Sequence, residues 1–520
     1  MTIITLSLVS HTNVGKTTLA RTLLRADVGE VRDAAHVTEF ADGHELIGTP
    51  EGDRLRLWDT PGFGDSARLV QRLRASQQPL GWFLSQVWDR WRDRPFWASQ
   101  QALRHVQADS DVLLYLVNAA ESPSQVGYVT AEMELLAWVG KPVIVLLNQL
   151  GAPRESSLEE VDVAAWRDHL ARWPLVQTVL PLDAFARCWV HEHTLLQAVQ
   201  AALQGPQVAA MVRLAAAWSA QRLATFDAAV QELAQSVARA ASARVRADDG
   251  PALSALAVGV RGKLRQWGQA VGSSLAQARG PSEASAPAGP APGAAELALL
   301  EQLQTEVHSS TSRLLALHGL DALGDQASAQ ILQRVAGQFA QATPVPEGKA
   351  ALVGGALSGA LVGLKADVAS GGLTLGGGLL VGAVLGALGA AGVARGINVV
   401  RGFDQTWLRL SDEALGPWVE AALLRYLAVA HFGRGRGDWV QSEAPPHWHA
   451  TVAAALLPER DALRALWRTR EAVDAAPAGA GHHRGGPQTQ TLAVALAPLL
   501  RRTLSRVFAA LYPHAYHLPQ

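Results

Sequence analysis

Hydrophobic positions follow two different rhythms along the chain. From residue 3 to about 205, short β-branched or aliphatic runs alternate with helical patterns, the arrangement of a parallel sheet covered by helices. Ile3 to Val9 reads as one strand and Leu55 to Trp58 alternates into Asp59 as another. Val112 to Val117 and Val143 to Leu147 are the continuous apolar runs of buried central strands. Each run ends near a polar motif, and ligands of open α/β sheets sit at the carboxyl ends of strands. From about 207 the period lengthens. Leu214, Trp218, Leu223, Phe226, Val230, Leu233 and Val237 recur at near-helical intervals, and no strand signal interrupts them. The expected fold is an α/β domain, a mostly parallel sheet with helices on both faces, followed by a mainly α-helical C-terminal region.

Breaks in the pattern set the organisation. Residues 66 to 108 form an insertion with Trp82, Trp88, Trp91 and Trp97 among Arg90, Arg92 and Arg94. A helical insertion packing its aromatics inward is favoured over a docking surface for a membrane interface or partner. The Pro/Ala/Gly/Ser stretch 279 to 295 reads as a linker, and so does the loop beginning at Asp474. His482 and His483 in that loop read as solvated, because no third metal ligand is evident nearby. Residues 350 to 394 are nearly uncharged, and 368 to 394 carry no charge at all, a run longer than the ~20 residues that span a bilayer core as a helix. Gly355, Gly359 and Gly363, then Gly378, Gly382 and Gly386, recur at four-residue intervals that let two helices approach closely. A glycine-zippered helical hairpin is expected. It either packs inside the C-terminal domain or meets a membrane or membrane-protein partner; membrane contact is favoured, in peripheral or monotopic form because the first arm is short. The expected division is 1–205, an α/β domain with the insertion 66–108; 206–345, helical with its linker; 346–400, the hairpin; and 401–520, helical.

Length and composition narrow the classes. A chain of 520 residues exceeds the ~250 to 300 that one core serves. With 49% hydrophobic and 18% charged residues it has ample apolar surface to bury. The net charge of −1 offers no basic excess for a phosphate backbone, so nucleic acid is not the favoured partner. One cysteine, Cys188, forms no intrachain disulfide, and no His/Cys cluster suggests structural zinc. MTIITLSLVS lacks a basic n-region and does not read as a signal peptide. A cytoplasmic location is expected, with contact at most on the inner face of the cytoplasmic membrane.

The chemistry concentrates in two short motifs. SHTNVGKT, residues 10 to 17, lies between a strand and a helix starting near Lys16, the context a P-loop requires. Gly15 lets the backbone wrap phosphates, Lys16 neutralises β and γ oxygens, Thr17 offers its hydroxyl to Mg²⁺, and the helix N-terminus adds N–H groups. Asn13, Val14 and Thr18 complete the nucleotide-binding set, while Ser10 replaces the usual first glycine. DTPG, residues 59 to 62, ends an alternating strand. Asp59 reaches Mg²⁺ through water and the Gly62 amide senses the γ-phosphate, so that hydrolysis releases the following FGDSA. Phe63 stands where a water-orienting glutamine would follow Gly62, so turnover is expected to be slow without help from backbone, an ion or a partner.

Asn13 to Thr17 and the DTPG motif together resemble the GTPases of the Era and TrmE group, whose loop reads GxPNVGKS, over residues 1 to about 205. The resemblance implies an Era-like G domain of the P-loop NTPase class that binds GTP or GDP with Mg²⁺. It implies that Thr38, in RDAAHVTE, is the switch I threonine closing over Mg²⁺ and serving catalysis with Lys16, Asp59 and Gly62. It also implies that Asn13 helps place a K⁺ ion beside the phosphates. The guanine-reading NKxD of such proteins is here NQLG: Asn148 keeps its place, Gln149, in the position of the lysine, joins it in the nucleotide-binding set, but the aspartate that accepts both guanine N–H groups is missing, which weakens base discrimination. LDAF, residues 182 to 185, resembles the last motif, with Asp183 followed by Ala184, whose N–H faces the base carbonyl. The whole chain resembles a proteobacterial family of GTPases with a C-terminal domain of unknown function. The leading expectation is a Mg²⁺-dependent GTP-binding and GTP-hydrolysing switch, membrane-associated through its hairpin and helped by a partner, a homodimer or K⁺. The alternatives are a non-hydrolysing or base-promiscuous nucleotide-binding scaffold, and an RNA- or ribosome-associated Era-like GTPase. Against the last stands the lack of a KH-type GXXG loop in a basic setting.

Overall fold

The computed structural model describes residues 1–24, 42–74, 94–150, 156–183, 188–246, 294–320, 324–341, 377–386, 397–401, 406–432, 445–474 and 486–513. The chain divides into two compact units. One comprises Met1–Ala224, Ala430–Ser442 and Leu511–Gln520; the other comprises Thr225–Val429 and Glu443–Ala510.

The first unit is built on six strands: β1 (Ile3–Ser10), β2 (Asp42–Gly48), β3 (Arg54–Asp59), β4 (Val112–Asn118), β5 (Val143–Asn148) and β6 (Val176–Pro181). Their order in the sheet is β2-β3-β1-β4-β5-β6. All pairings are parallel except that of β2 with β3. Val112 to Val117 and Val143 to Leu147 are all fully buried, because helices cover both faces of the central strands. The helices are α1 (Lys16–Leu24), α2 (Ser66–Leu73), α3 (Arg94–Asp109), α4 (Gly127–Val139), α5 (Ser156–Leu170) and α6 (Trp189–Ala202). Their apolar faces meet the sheet in a core that includes Leu69, Leu103, Tyr115, Met133, Leu136 and Trp166. Each such side chain contributes about 1.5–3 kcal/mol on burial. Parallel register brings the ends of the strands to one edge: Asp59 lies opposite Leu8, and Asn118 opposite Asn148.

The insertion's described ends are helices with buried apolar faces, Leu69, Val70 and Leu73 on α2 and Phe96, Leu103 and Val106 on α3; Trp97 is half-buried. Trp82, Trp88, Trp91, Arg90 and Arg92 lie outside the described residues.

The second unit takes the later part of α7 (Pro206–Ser242), then α8 (Ala294–Leu317), α9 (Gly324–Gln341), α10 (Gly377–Gly386), α11 (Asp412–Ala430), α12 (Pro446–Leu456), α13 (Arg460–Asp474) and α14 (Pro487–Leu511). The region is mainly helical, but it also holds strands that gave no sequence signal. The C-terminal half is not free of strands: β7 (Arg244–Arg246), β8 (Ile397–Arg401) and β9 (Thr406–Leu410) form an antiparallel sheet in the order β7-β9-β8. Three to five residues are too few for a period-2 signal to stand out beside long helices. Ile397, opposite Leu410, and Leu408 bury one face of it.

Helix α10 is the described part of the glycine-rich stretch. It packs against α8 and α9, with Leu380, Val381, Ala383, Val384 and Leu385 buried. Residues 350–376 and 387–394 lie outside the described residues, as do 279–293 of the Pro/Ala stretch, His482 and His483; Ala294 and Ala295 already belong to α8. No helix among the described residues is long and apolar enough to cross a membrane.

Candidate functional site

Strand β1 stays buried through Ser10, after which the chain turns sharply into α1. Two residues of the turn take left-handed backbone, Asn13 at φ 63° and Gly15 at φ 94°. Asparagine tolerates that region better than other side chains, and glycine adopts it freely. At Gly15 space is also limiting, since a Cβ there would lie 2.7 Å from Asn148 Nδ2. Lys16 opens α1 and is buried. Its Nζ donates to Ser10 Oγ at 2.9 Å and to the His11 carbonyl at 3.3 Å. The serine that replaces the expected glycine thus serves as an acceptor for the lysine. Burial lowers the Lys16 pKa, and the nearby carboxylates of Asp59 and Glu132 oppose that shift.

The DTPG segment is stitched to the same loop. Thr60 Oγ1 donates to the Leu8 carbonyl at 2.6 Å, and the Phe63 N–H donates to the Ser10 carbonyl at 2.9 Å. Thr17 Oγ1 donates to Asp59 Oδ2 at 2.5 Å. Gly62 lies against the lysine, for a Cβ on it would stand 3.0 Å from Lys16 Nζ and 3.0 Å from Thr12 Cα. Phe63 is 1% exposed and belongs to the core. Among the described residues no group of three or more His, Cys, Asp or Glu side chains forms a metal cage. The hydroxyl of Thr17 beside the carboxylate of Asp59 is nonetheless a hard-oxygen pair of the kind that, with phosphate oxygens and water, suits Mg²⁺.

On the base side, Asn148 Nδ2 donates to the Val14 carbonyl at 2.7 Å, Gln149 has φ 60°, and the Leu150 N–H donates to Asp183 Oδ2 at 2.7 Å. Asn148 is thus tied to the phosphate loop, and Asp183 to the NQLG segment. Thr18 is buried in α1. Thr38, Gly151 and Ala184 lie outside the described residues. Cys188 is buried, and burial pushes its thiol up to about 12, which leaves it a poor nucleophile.

Sequence reasoning missed Glu132. It stands fully buried on α4, accepting from Ser66 Oγ at 3.1 Å and Tyr115 OH at 2.6 Å and paired with His11 Nδ1 at 2.8 Å. One signal was available: Val129, Glu132, Met133 and Leu136 form a single helical stripe, and an acid within an apolar stripe requires partners.

Residues 5–149 match the family described as 50S ribosome-binding GTPase. The N-terminal α/β domain is a P-loop GTPase domain. Behind this GTPase domain, residues 288–497 match a domain of unknown function, DUF3482. A comparison with curated proteins gave no match. Among solved structures, the chain is similar to a variant of Aquifex aeolicus Era bound to GDP·AlF4⁻, with 16% identity, TM-score 0.28, and 39% of this chain and 58% of that one covered. It is also similar to Era in complex with MgGDPNP and nucleotides 1506–1542 of 16S ribosomal RNA (18% identity, TM-score 0.26, 35% and 51% covered). A third is the bacterial selenocysteine-specific elongation factor EF-Sec (15%, 0.23, 35% and 26%). The chain thus spans 58% and 51% of the two Era structures and 26% of the third.

Proposed function

We propose that the GTPase domain is a slow, Mg²⁺-dependent GTP-hydrolysing switch that reads the γ-phosphate through Gly62 and relays its loss along 62–66. The observation that carries this is the convergence of Thr17, Asp59 and Gly62 on Lys16. A hydroxyl and a carboxylate meet at 2.5 Å at the N-terminus of α1, and a residue without a side chain lies against the buried ammonium. Lys16 would exchange its contacts with Ser10 Oγ and the His11 carbonyl for β and γ oxygens, in a site where burial strengthens the attraction. The loop N–H groups and the positive end of the α1 dipole add to it. Mg²⁺, when bound, neutralises charge developing on the phosphates; Thr17 and Asp59 would hold it, with Thr38 as the further candidate. Gly62 leaves room for its own N–H to approach the γ-phosphate beside Lys16. Phe63 is buried and so offers nothing to orient the attacking water, which leaves that task to Thr38, to K⁺ placed by Asn13, or to a partner.

The test is competition of GTP, ATP and XTP for a fluorescent GTP analogue with Mg²⁺, with Lys16→Ala as the blank. GTP should win by tenfold or more, about 1.4 kcal/mol. Equal competition by ATP or XTP, or an unchanged Lys16→Ala variant, overturns the guanine switch.

A second reading, a base-promiscuous scaffold that barely hydrolyses, is favoured by the buried Phe63 and by NQLG in place of NKxD. Turnover decides between them, because Asp59→Ala abolishes genuine hydrolysis. Within 350–394 the ten described residues, Gly377–Gly386, pack against α8 and α9, which favours internal packing of this part over membrane contact.

A further inference from the structure

Glu132 lies outside every motif that contacts a nucleotide in the reading above, yet two of those motifs end on it. A fully buried carboxylate is tolerated only where donors face its oxygens. Tyr115 OH, from β4, donates to Oε2 at 2.6 Å and fixes the carboxylate to the sheet. The other oxygen, Oε1, has two partners, Ser66 Oγ at 3.1 Å and His11 Nδ1 at 2.8 Å. Ser66 is the first residue of α2, just beyond the γ-sensing Gly62. His11 belongs to the phosphate loop; its carbonyl accepts from Lys16, and its backbone bridges Phe63. Its ring, still partly open to solvent, stacks on Tyr128 of α4 with centroids 4.5 Å apart.

We propose that Glu132 is a positioning residue of the GTPase cycle, one oxygen of which couples the phosphate loop at His11 to the start of α2 at Ser66. A shared acceptor makes the coupling reciprocal. When α2 draws Ser66 away, Oε1 relies on His11 alone and holds the loop more firmly; when the loop draws His11 away, Ser66 is held in turn. Tyr115 keeps the carboxylate in place through both exchanges. The charge of Glu132 also reaches the site directly, since it favours the protonated form of Lys16. A core acid that merely satisfies its own donors would show no such cross-talk.

The inference rests on the switch reading for its nucleotide measurements alone, so the first test avoids nucleotide. Hydrogen exchange is followed in peptides covering 10–17 and 62–70 of the full, nucleotide-free chain, in Ser66→Ala, in His11→Phe, which keeps the stack on Tyr128, and in Glu132→Gln. Ser66→Ala should slow exchange in 10–17, and His11→Phe in 62–70, each by about threefold or more, whereas Glu132→Gln, which removes the shared acceptor, should speed both. Changes confined to each variant's own segment overturn the coupling. The second test measures affinities for fluorescent GTP and GDP analogues together with turnover. Ser66→Ala should shift the GTP-to-GDP affinity ratio by about fivefold and lower kcat about tenfold, with KM changed less than about threefold. A lower melting temperature with ratio and kcat unchanged means a structural role only and overturns the proposal. Wild-type protein that binds neither nucleotide sinks the switch reading, while the exchange result still decides the coupling.

Discussion

Asn148, at the end of β5, donates its Nδ2 to the buried carbonyl of Val14 at 2.7 Å. The asparagine of the base-side motif thereby holds the phosphate loop, and Gly15 is the residue that leaves it room. Asn148→Ala strands a buried acceptor, a loss of about 1–3 kcal/mol. Because the defect lies in the loop, affinities for GTP, GDP and XTP should fall together, by about tenfold. Denaturant titration and competition binding check both halves. A loss confined to guanine nucleotides would place the side chain on the base instead.

Gly62→Ala is predicted to separate binding from turnover. Its new Cβ would stand 3.0 Å from both Lys16 Nζ and Thr12 Cα. The lysine tip can shift, but Thr12 is backbone and cannot turn aside. The segment must therefore draw back, away from where the proposed switch would sense a γ-phosphate. GDP affinity should stay within about threefold while single-turnover hydrolysis drops at least about tenfold. Hydrolysis at the wild-type rate would show that Gly62 does not approach the phosphate.

Asn13 gives a direct test of the potassium idea. Its φ of 63° strains most side chains but not glycine, so Asn13→Gly removes the carboxamide while preserving the turn. The variant should keep its nucleotide affinity and stability, the latter within about 1 kcal/mol or slightly improved. If Asn13 places K⁺, the rate difference between KCl and NaCl seen in wild type disappears in the variant. Equal stimulation in both proteins removes Asn13 from that role.

What could be read from the sequence follows from how local each signal is. Strands β4 and β5 were legible because burial on both faces makes every position apolar. Strand β2, DGHELIG, sits at the sheet edge with half-exposed residues and carries no such run. The phosphate loop was legible because its chemistry needs neighbouring residues in one turn. The ties that place it are not local. Glu132 meets His11 across 121 positions and Ser66 across 66, and buried Asp53, which accepts from the Thr2 N–H and pairs with Arg213, reaches 160 positions to the latter. No periodicity reports such pairs. The small sheet of β7, β8 and β9 was missed because its strands are too short to show an alternation, and β7 in addition pairs with a strand more than a hundred residues further along.

Glu420 is predicted to make the helical unit less stable as pH rises. It lies on α11 with Oε1 3.3 Å from His449 Nε2 of α12, and burial pushes its carboxyl up to about 7 against the opposing pull of Arg460. Burial also lowers the His449 pKa, so the imidazole supplies little countercharge near neutrality. The ordinary value is 4.5. Between there and about 7 the folded chain holds a proton that the unfolded chain has released, and stability falls with rising pH across that window. The loss by pH 8, relative to pH 4, is on the order of 2–3 kcal/mol and smaller to the extent that water reaches the group. Glu420→Gln keeps the neutral shape and removes the titration. Its stability relative to wild type should therefore grow between pH 5 and pH 8 in paired denaturation series, which cancels every other titrating group common to the two. A difference that stays constant across that range would mean that Glu420 is already ionised at the lower pH, held by Arg460.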